Sequence, residues 1–149
     1  MIRDCLDVGT PLASILDQVS VHSLAETLIR FLESLAEPVI PFAMCAKCLE
    51  NSASQVACKQ LLAQLPPAHY NAFVYIVAFL RELLTHTEAN NLTPEKLAVV
   101  FGAVLLRMRN EVGGLGSSKL ASTLAKKKAV FVFQFLIDED DPAMPTGRQ

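Results

Sequence analysis

Between Leu65 and Leu84, a segment of about five helical turns, residues Phe73, Ile76, Val77, Leu80, Leu83 and Leu84 recur at intervals of three and four over the last three turns. Only an α-helix gathers side chains at that spacing onto one face, and so continuous a stripe has to be covered by other elements. Pro66-Pro67 forces a break before this helix, and Asn90-Asn91 closes it. It is expected to be the longest helix and the spine of an all-α bundle.

The other segments read as helices that could pack around it. From His22 to Ala36, Leu24, Leu28, Phe31, Leu32 and Leu35 share one face, with Glu26, Ile29, Arg30 and Glu33 off it. Ile29 is expected to point outward. Ser23 and Glu26 have capping-box spacing, and Pro38 cannot continue the helix. Two shorter helices, Ala43 to Asn51 and Ser54 to Leu65, are separated by Asn51-Ser52. Thr93 is the expected N-cap of the next helix, with Pro94 in its first turn and Leu97, Val100, Phe101, Val104 and Leu105 as its buried stripe. Lys96, Val99, Ala103 and Leu106 lie roughly opposite that stripe, so this helix is either sandwiched between neighbours or exposed to a partner.

The run VFVFQFLI is β-branched and aromatic, yet Ala125, Ala129, Val132, Phe133 and Leu136 fit one helical face. A helix from Ser118 to about Asp138 is expected, with Phe131 and Phe135 off its main face, either toward a partner or toward a preceding domain. Pro11 to Ser20 reads as a connecting loop, Gly113, Gly114 and Gly116 as a flexible one, and residues 138–149 as a disordered tail. One domain over residues 1–137 follows, and no internal repeat is present.

Composition and motifs exclude several functions. Thirteen basic against fifteen acidic residues leave a net charge of −2, no field for a nucleic-acid backbone. No apolar run approaches the ~18 residues of a membrane span, and MIRDCLDVG carries acids where a signal peptide is apolar, so a soluble intracellular chain is expected. Among Cys5, Cys45, Cys48 and Cys58 there is one C-x-x-C pair, without a second pair or a His-x-x-x-His to complete a zinc site; reduced, partly buried thiols are the reading. His22, His69 and His86 sit at or near helix ends, no G-x-S-x-G occurs, and GGLGSSK lacks phosphate-loop spacing. Lys126, Lys127 and Lys128 point 100° apart, which suits a solvated turn better than a lipid-binding face. No cofactor, metal or catalytic nucleophile is expected.

Three blocks carry a family resemblance. HSLAETLIRFLESLAEPVIPF, His22 to Phe42, resembles the RhoGAP pattern H-x-x-A-x-x-L-K-x-x-L-R-x-L-P-E-P-L-I-P-F. LPPAHYNAFVYIVAFLRELL resembles the family's L-P-x-x-N segment and following helix, and NLTPEKLAVVFGAVLLR resembles N-x-M-T-x-x-N-L-A-x-V-F-G-P-x-L-L. IRDCLDVG, Ile2 to Gly9, is similar to the helix end after the family's first motif, so the likeness extends to about Leu136. It implies a RhoGAP-like helical bundle.

Set against that pattern, the family's active-site Lys, Arg and Asn are Ile29, Glu33 and Lys96 here, and the Pro of F-G-P is Ala103. The segment that would carry the arginine finger is expected to lie before Met1. A GAP sets a guanidinium beside the charge developing on the transferring phosphoryl group, which an isoleucine and a carboxylate cannot replace. IRDCLD, FLESLAEPVI, FLRELL and LAVVFGAVLLR look more narrowly like the RhoGAP-like module of the type II inositol polyphosphate 5-phosphatases, the group that includes the Lowe-syndrome protein. That resemblance implies a non-catalytic adaptor binding Rho-family or other small GTPases and short helical peptides of endocytic adaptors. Membrane association at endosomes or Golgi would be indirect, through a parent protein. The implied contact residues are Ile29, Arg30, Glu33, Lys96, Val99 and Ala103; the alternative is a weak GTPase activator.

Overall fold

A computed structural model of the chain describes residues 7–9, 20–109 and 118–137. Cys5, most of the Pro11 to Ser20 loop, the glycine loop and the tail from 138 lie outside the described residues. Seven helices and no strand occur among them: α1 Val21–Ser34, α2 Phe42–Glu50, α3 Gln55–Ala63, α4 Pro67–Leu84, α5 Thr87–Asn90, α6 Pro94–Leu105 and α7 Ser118–Leu136. The all-α expectation holds. The chain divides into two compact units, Met1–Ala36 and Glu37–Gln149.

In the first unit, α1 starts earlier than its supposed capping box. Ser20 has the extended backbone a cap needs, and its Oγ accepts the Ser23 N–H at 3.1 Å. Ser23 is already helical, and Glu26 accepts instead from Arg30 Nη2, 2.6 Å away one turn on. The helix ends at Ser34 because Leu35 is extended, three residues ahead of Pro38. Leu32 is the buried side chain, whereas Phe31, expected inside, is 56% exposed. The two are 100° apart on the wheel, and burial centres on the Leu32 side.

The second unit opens on Glu37-Pro38-Val39-Ile40-Pro41, an irregular segment held by named bonds. Residues 38–41 are buried. Glu37 Oε1 accepts the Phe42 N–H at 3.0 Å, capping α2 from five residues upstream. Ile40 N–H donates to Leu105 O (3.1 Å), and His69 Nδ1–H donates to Val39 O (2.9 Å). With two prolines lacking N–H groups, few donors in this segment need partners at all.

Two expectations about the core are corrected. Among the described residues the longest helix is α7, 19 residues against 18 in α4, and α7 packs against α2, α3, α4 and α6, so it is the spine. Phe131 and Phe135, placed off its main face in the sequence reading, are fully buried and meet Phe73 edge to face at 6.1 and 5.0 Å. A helix with neighbours on several sides buries more than one stripe, and a single-face wheel cannot show that. Val132 and Leu136 are buried as expected, while Ala125 is exposed and Ala129 and Phe133 half-buried. Lys128, read as part of a solvated turn, is only 6% exposed.

On α4 the buried set is Phe73, Val74, Val77 and Leu80, with Ile76, Leu83 and Leu84 half-buried. Arg81 Nε and Nη2 both donate to Phe135 O (2.9 and 2.6 Å), closing the C-terminal end of α7 with a cation. Gln134 Nε2 donates to Ser52 O (3.0 Å) and Gln55 Nε2 to Gln134 O (3.2 Å), tying the α2–α3 turn to the same helix. The α4 helix ends at Leu84, and Asn90-Asn91 instead ends the single turn of α5, where Asn91 takes a left-handed φ of 57°.

Candidate functional site

The site proposed from sequence has two halves, one in each unit. On α6, Thr93 Oγ1 accepts the Lys96 N–H at 3.2 Å, and Pro94 occupies the first turn, as expected. This cap sets the rotation of the helix. Leu97, Phe101, Val104 and Leu105 face inward together with Ala98 and Gly102. Val100, expected in that stripe, is 43% exposed. Leu106, expected opposite it, is fully buried, because it follows the last helical residue and its backbone turns out of the helix.

Exposed on the outer side of α6 are therefore Lys96, Val99, Val100 and Ala103. Val99 is 61% exposed. Lys96 Nζ donates to Asn91 O at 2.9 Å, so the left-handed turn before the helix holds the ammonium back over the helix start. Beyond its first turn the face is apolar, and at its N-terminal end the fixed Lys96 cation lies next to the exposed carboxylate of Glu95.

On α1, Arg30 is tied to Glu26, both side chains well exposed, and Glu33 is exposed one turn after Ile29. Ile29 is half-buried, which corrects its expected outward position: part of its surface is already removed from water. Such an exposed i,i+4 pair contributes about 0.3–0.5 kcal/mol.

Among the described side chains, neither half carries a nucleophile with its base. Cys45, Cys48 and Cys58 are fully buried free thiols, not partly buried ones. Burial, reinforced by Cys45 and Cys58, pushes the Cys48 thiol up to about 12, and burial pushes Cys58 up to about 11, so neither forms appreciable thiolate near neutrality. His69 is engaged by Val39, and His86 lies 3.4 Å from Glu82 at an exposed helix end. Among the described residues, no three His, Cys, Asp or Glu side chains come together as a metal site, and no helix is long and apolar enough to cross a membrane.

Glu37 and Arg81 escaped the sequence reading. Glu37 had a readable signal, an acid just ahead of a helix start; Arg81 had none, since its acceptor is 54 residues away.

The RhoGAP domain family model matches residues 1–110. Mouse type II inositol 1,4,5-trisphosphate 5-phosphatase is 43% identical over 137 residues, covering 91% of this chain and 13% of that protein. Mouse Rho GTPase-activating protein 22 is 35% identical over 119 residues, 74% of this chain and 17% of that protein. Human Rho GTPase-activating protein 24 is 34% identical over 119 residues, 74% of this chain and 16% of that protein. The chain thus spans less than a fifth of the length of these relatives.

Proposed function

Because this chain belongs to the RhoGAP family, we propose that it is a binding module for Rho-family or other small GTPases that does not accelerate GTP hydrolysis. The observation that carries this reading is the outer side of α6, where Val99, Val100 and Ala103 are exposed beside Lys96. Apolar surface removed from water contributes about 25 cal/mol per Å² to association, equally for ground and transition states. It therefore supports affinity and not rate.

Catalysis by a GAP needs positive charge or amide donors at the transferring phosphoryl group. Where the family pattern has Lys and Arg, this chain has a half-buried isoleucine and an exposed carboxylate, Ile29 and Glu33. A carboxylate there would oppose the charge that develops. Lys96, in place of the Asn, is already bonded to Asn91 O.

The reading extends to the parent protein. The likeness to the 5-phosphatase supports a module, over residues 1–137, of a protein of that kind. A place in membrane trafficking, peripheral to endosomal or Golgi membranes, with short helical peptides of endocytic adaptors as further partners, is proposed from the family resemblance of the FLESLAEPVI and LAVVFGAVLLR blocks. The relatives named as Rho GTPase-activating proteins favour a second reading, a weak activator. Single-turnover GTP hydrolysis by Rac, Cdc42 and Rho, with and without the chain, separates the two. Saturable binding to the GTP-loaded form at the intrinsic hydrolysis rate is the expected result. An acceleration of about a hundredfold would overturn the non-catalytic reading, and no binding to any GTPase would overturn the first proposal as well.

A further inference from the structure

A pocket of about 350 Å³ opens between the start of α2 and the segment after α6, lined by Phe42, Ala43, Met108 and Arg109. Among the described residues, its side chains are an aromatic ring, a methyl, a thioether and a guanidinium. Phe42 and Met108 are half-buried, while Ala43 and Arg109 are exposed.

The arginine is the informative member. Among the described residues, Arg30 is paired with Glu26, Arg81 is bound to Phe135 O, and Arg107 also has a partner. Arg109 alone among these four makes no hydrogen bond or ion pair within the described residues. Its guanidinium is instead held over the Phe42 ring, 5.0 Å from the centroid. Glu37, five residues before Phe42, uses its Oε1 to accept the Phe42 N–H. Stacking restricts the guanidinium plane while its N–H fork stays available, the arrangement that favours a bidentate carboxylate.

We propose that this pocket binds the free C-terminus of a partner polypeptide ending in a large apolar residue, with the α-carboxylate on Arg109 and the last side chain against Phe42 and Met108. Charge complementarity and spacing select this occupant. The cation and the apolar wall belong to one small pocket, so charge and side chain must come from one residue. A chain terminus supplies both from a single Cα. Methionine and a half-exposed aromatic ring adapt to leucine or phenylalanine alike.

The test is a chemical-shift titration of the isotopically labelled full chain with two probes, acetyl-glycyl-leucine carrying a free carboxylate and its C-terminal carboxamide. The free acid should shift the Ala43, Met108 and Arg109 amides saturably, and the carboxamide should bind about tenfold more weakly or not at all. Arg109→Gln, at an exposed position and checked for unchanged helix content, should weaken the free acid by a similar factor. Equal affinity for the two probes, unchanged affinity in Arg109→Gln, or no saturable shift at these amides would each overturn the proposal.

Discussion

Replacing Gly102 by alanine sets two known effects against each other, and the geometry decides the sign. Gly102 is buried inside α6, where helix propensity alone predicts that alanine stabilises by about 1 kcal/mol. A Cβ built there, however, would lie 2.9 Å from both the carbonyl carbon and oxygen of Lys128 and 3.0 Å from Ala129 N. All three are backbone atoms of α7 and cannot rotate aside, so the helices would have to part by about half an ångström to restore ordinary contact. The α6–α7 contact is the most extensive between helices in the second unit, and parting it loosens dispersion contacts along its length. Overpacking of this kind costs about 1–3 kcal/mol, which leaves a net loss of up to about 2 kcal/mol after the propensity gain. Urea unfolding followed by far-UV circular dichroism should show a lower midpoint at unchanged slope, and Tm should fall by up to roughly 8 °C. A midpoint that rises, as propensity alone predicts, would refute the close helix approach.

Arg81→Met keeps the aliphatic stem but removes both donors to Phe135 O, and should cost about 1.5–3 kcal/mol in the same unfolding assay. The raised Cys48 and Cys58 thiols give a sign for alkaline stability: below 9.0 both states hold the proton, and above it only the unfolded state releases it. Stability should therefore fall from pH 9.0 toward about 12, and a urea-midpoint scan across that range should be flatter for Cys48→Ala. If a small GTPase docks on α1, Ile29→Lys combined with Glu33→Arg should change its affinity by about tenfold with helix content intact, measured by calorimetry. Unchanged affinity would move the contact off that helix.

Local rules made much of this chain legible. Prolines, the Thr93 cap and apolar spacing marked out the helices other than α5, and most of their ends within two residues, because helix bonds close over four residues and their start and stop signals lie in the same short window; the end of α4, expected at Asn90-Asn91, came at Leu84. The family blocks were equally readable, and residues 1–110 match the family they suggested. The depth of a given side chain was not legible. Ile29 and Val100 exchanged expected roles, Phe31 came out and Lys128 went in, since each depends on what packs against the helix and not on its own period. The same holds for α7: its aromatic run is ambiguous in isolation, and only contact with α2, α3, α4 and α6 makes it the spine. Tertiary structure also decided the bonds that tie distant segments, Arg81 to Phe135 across 54 residues and His69 to Val39 across 30. A periodic pattern states that a face exists; the number of neighbours that cover it is a property of the folded chain as a whole.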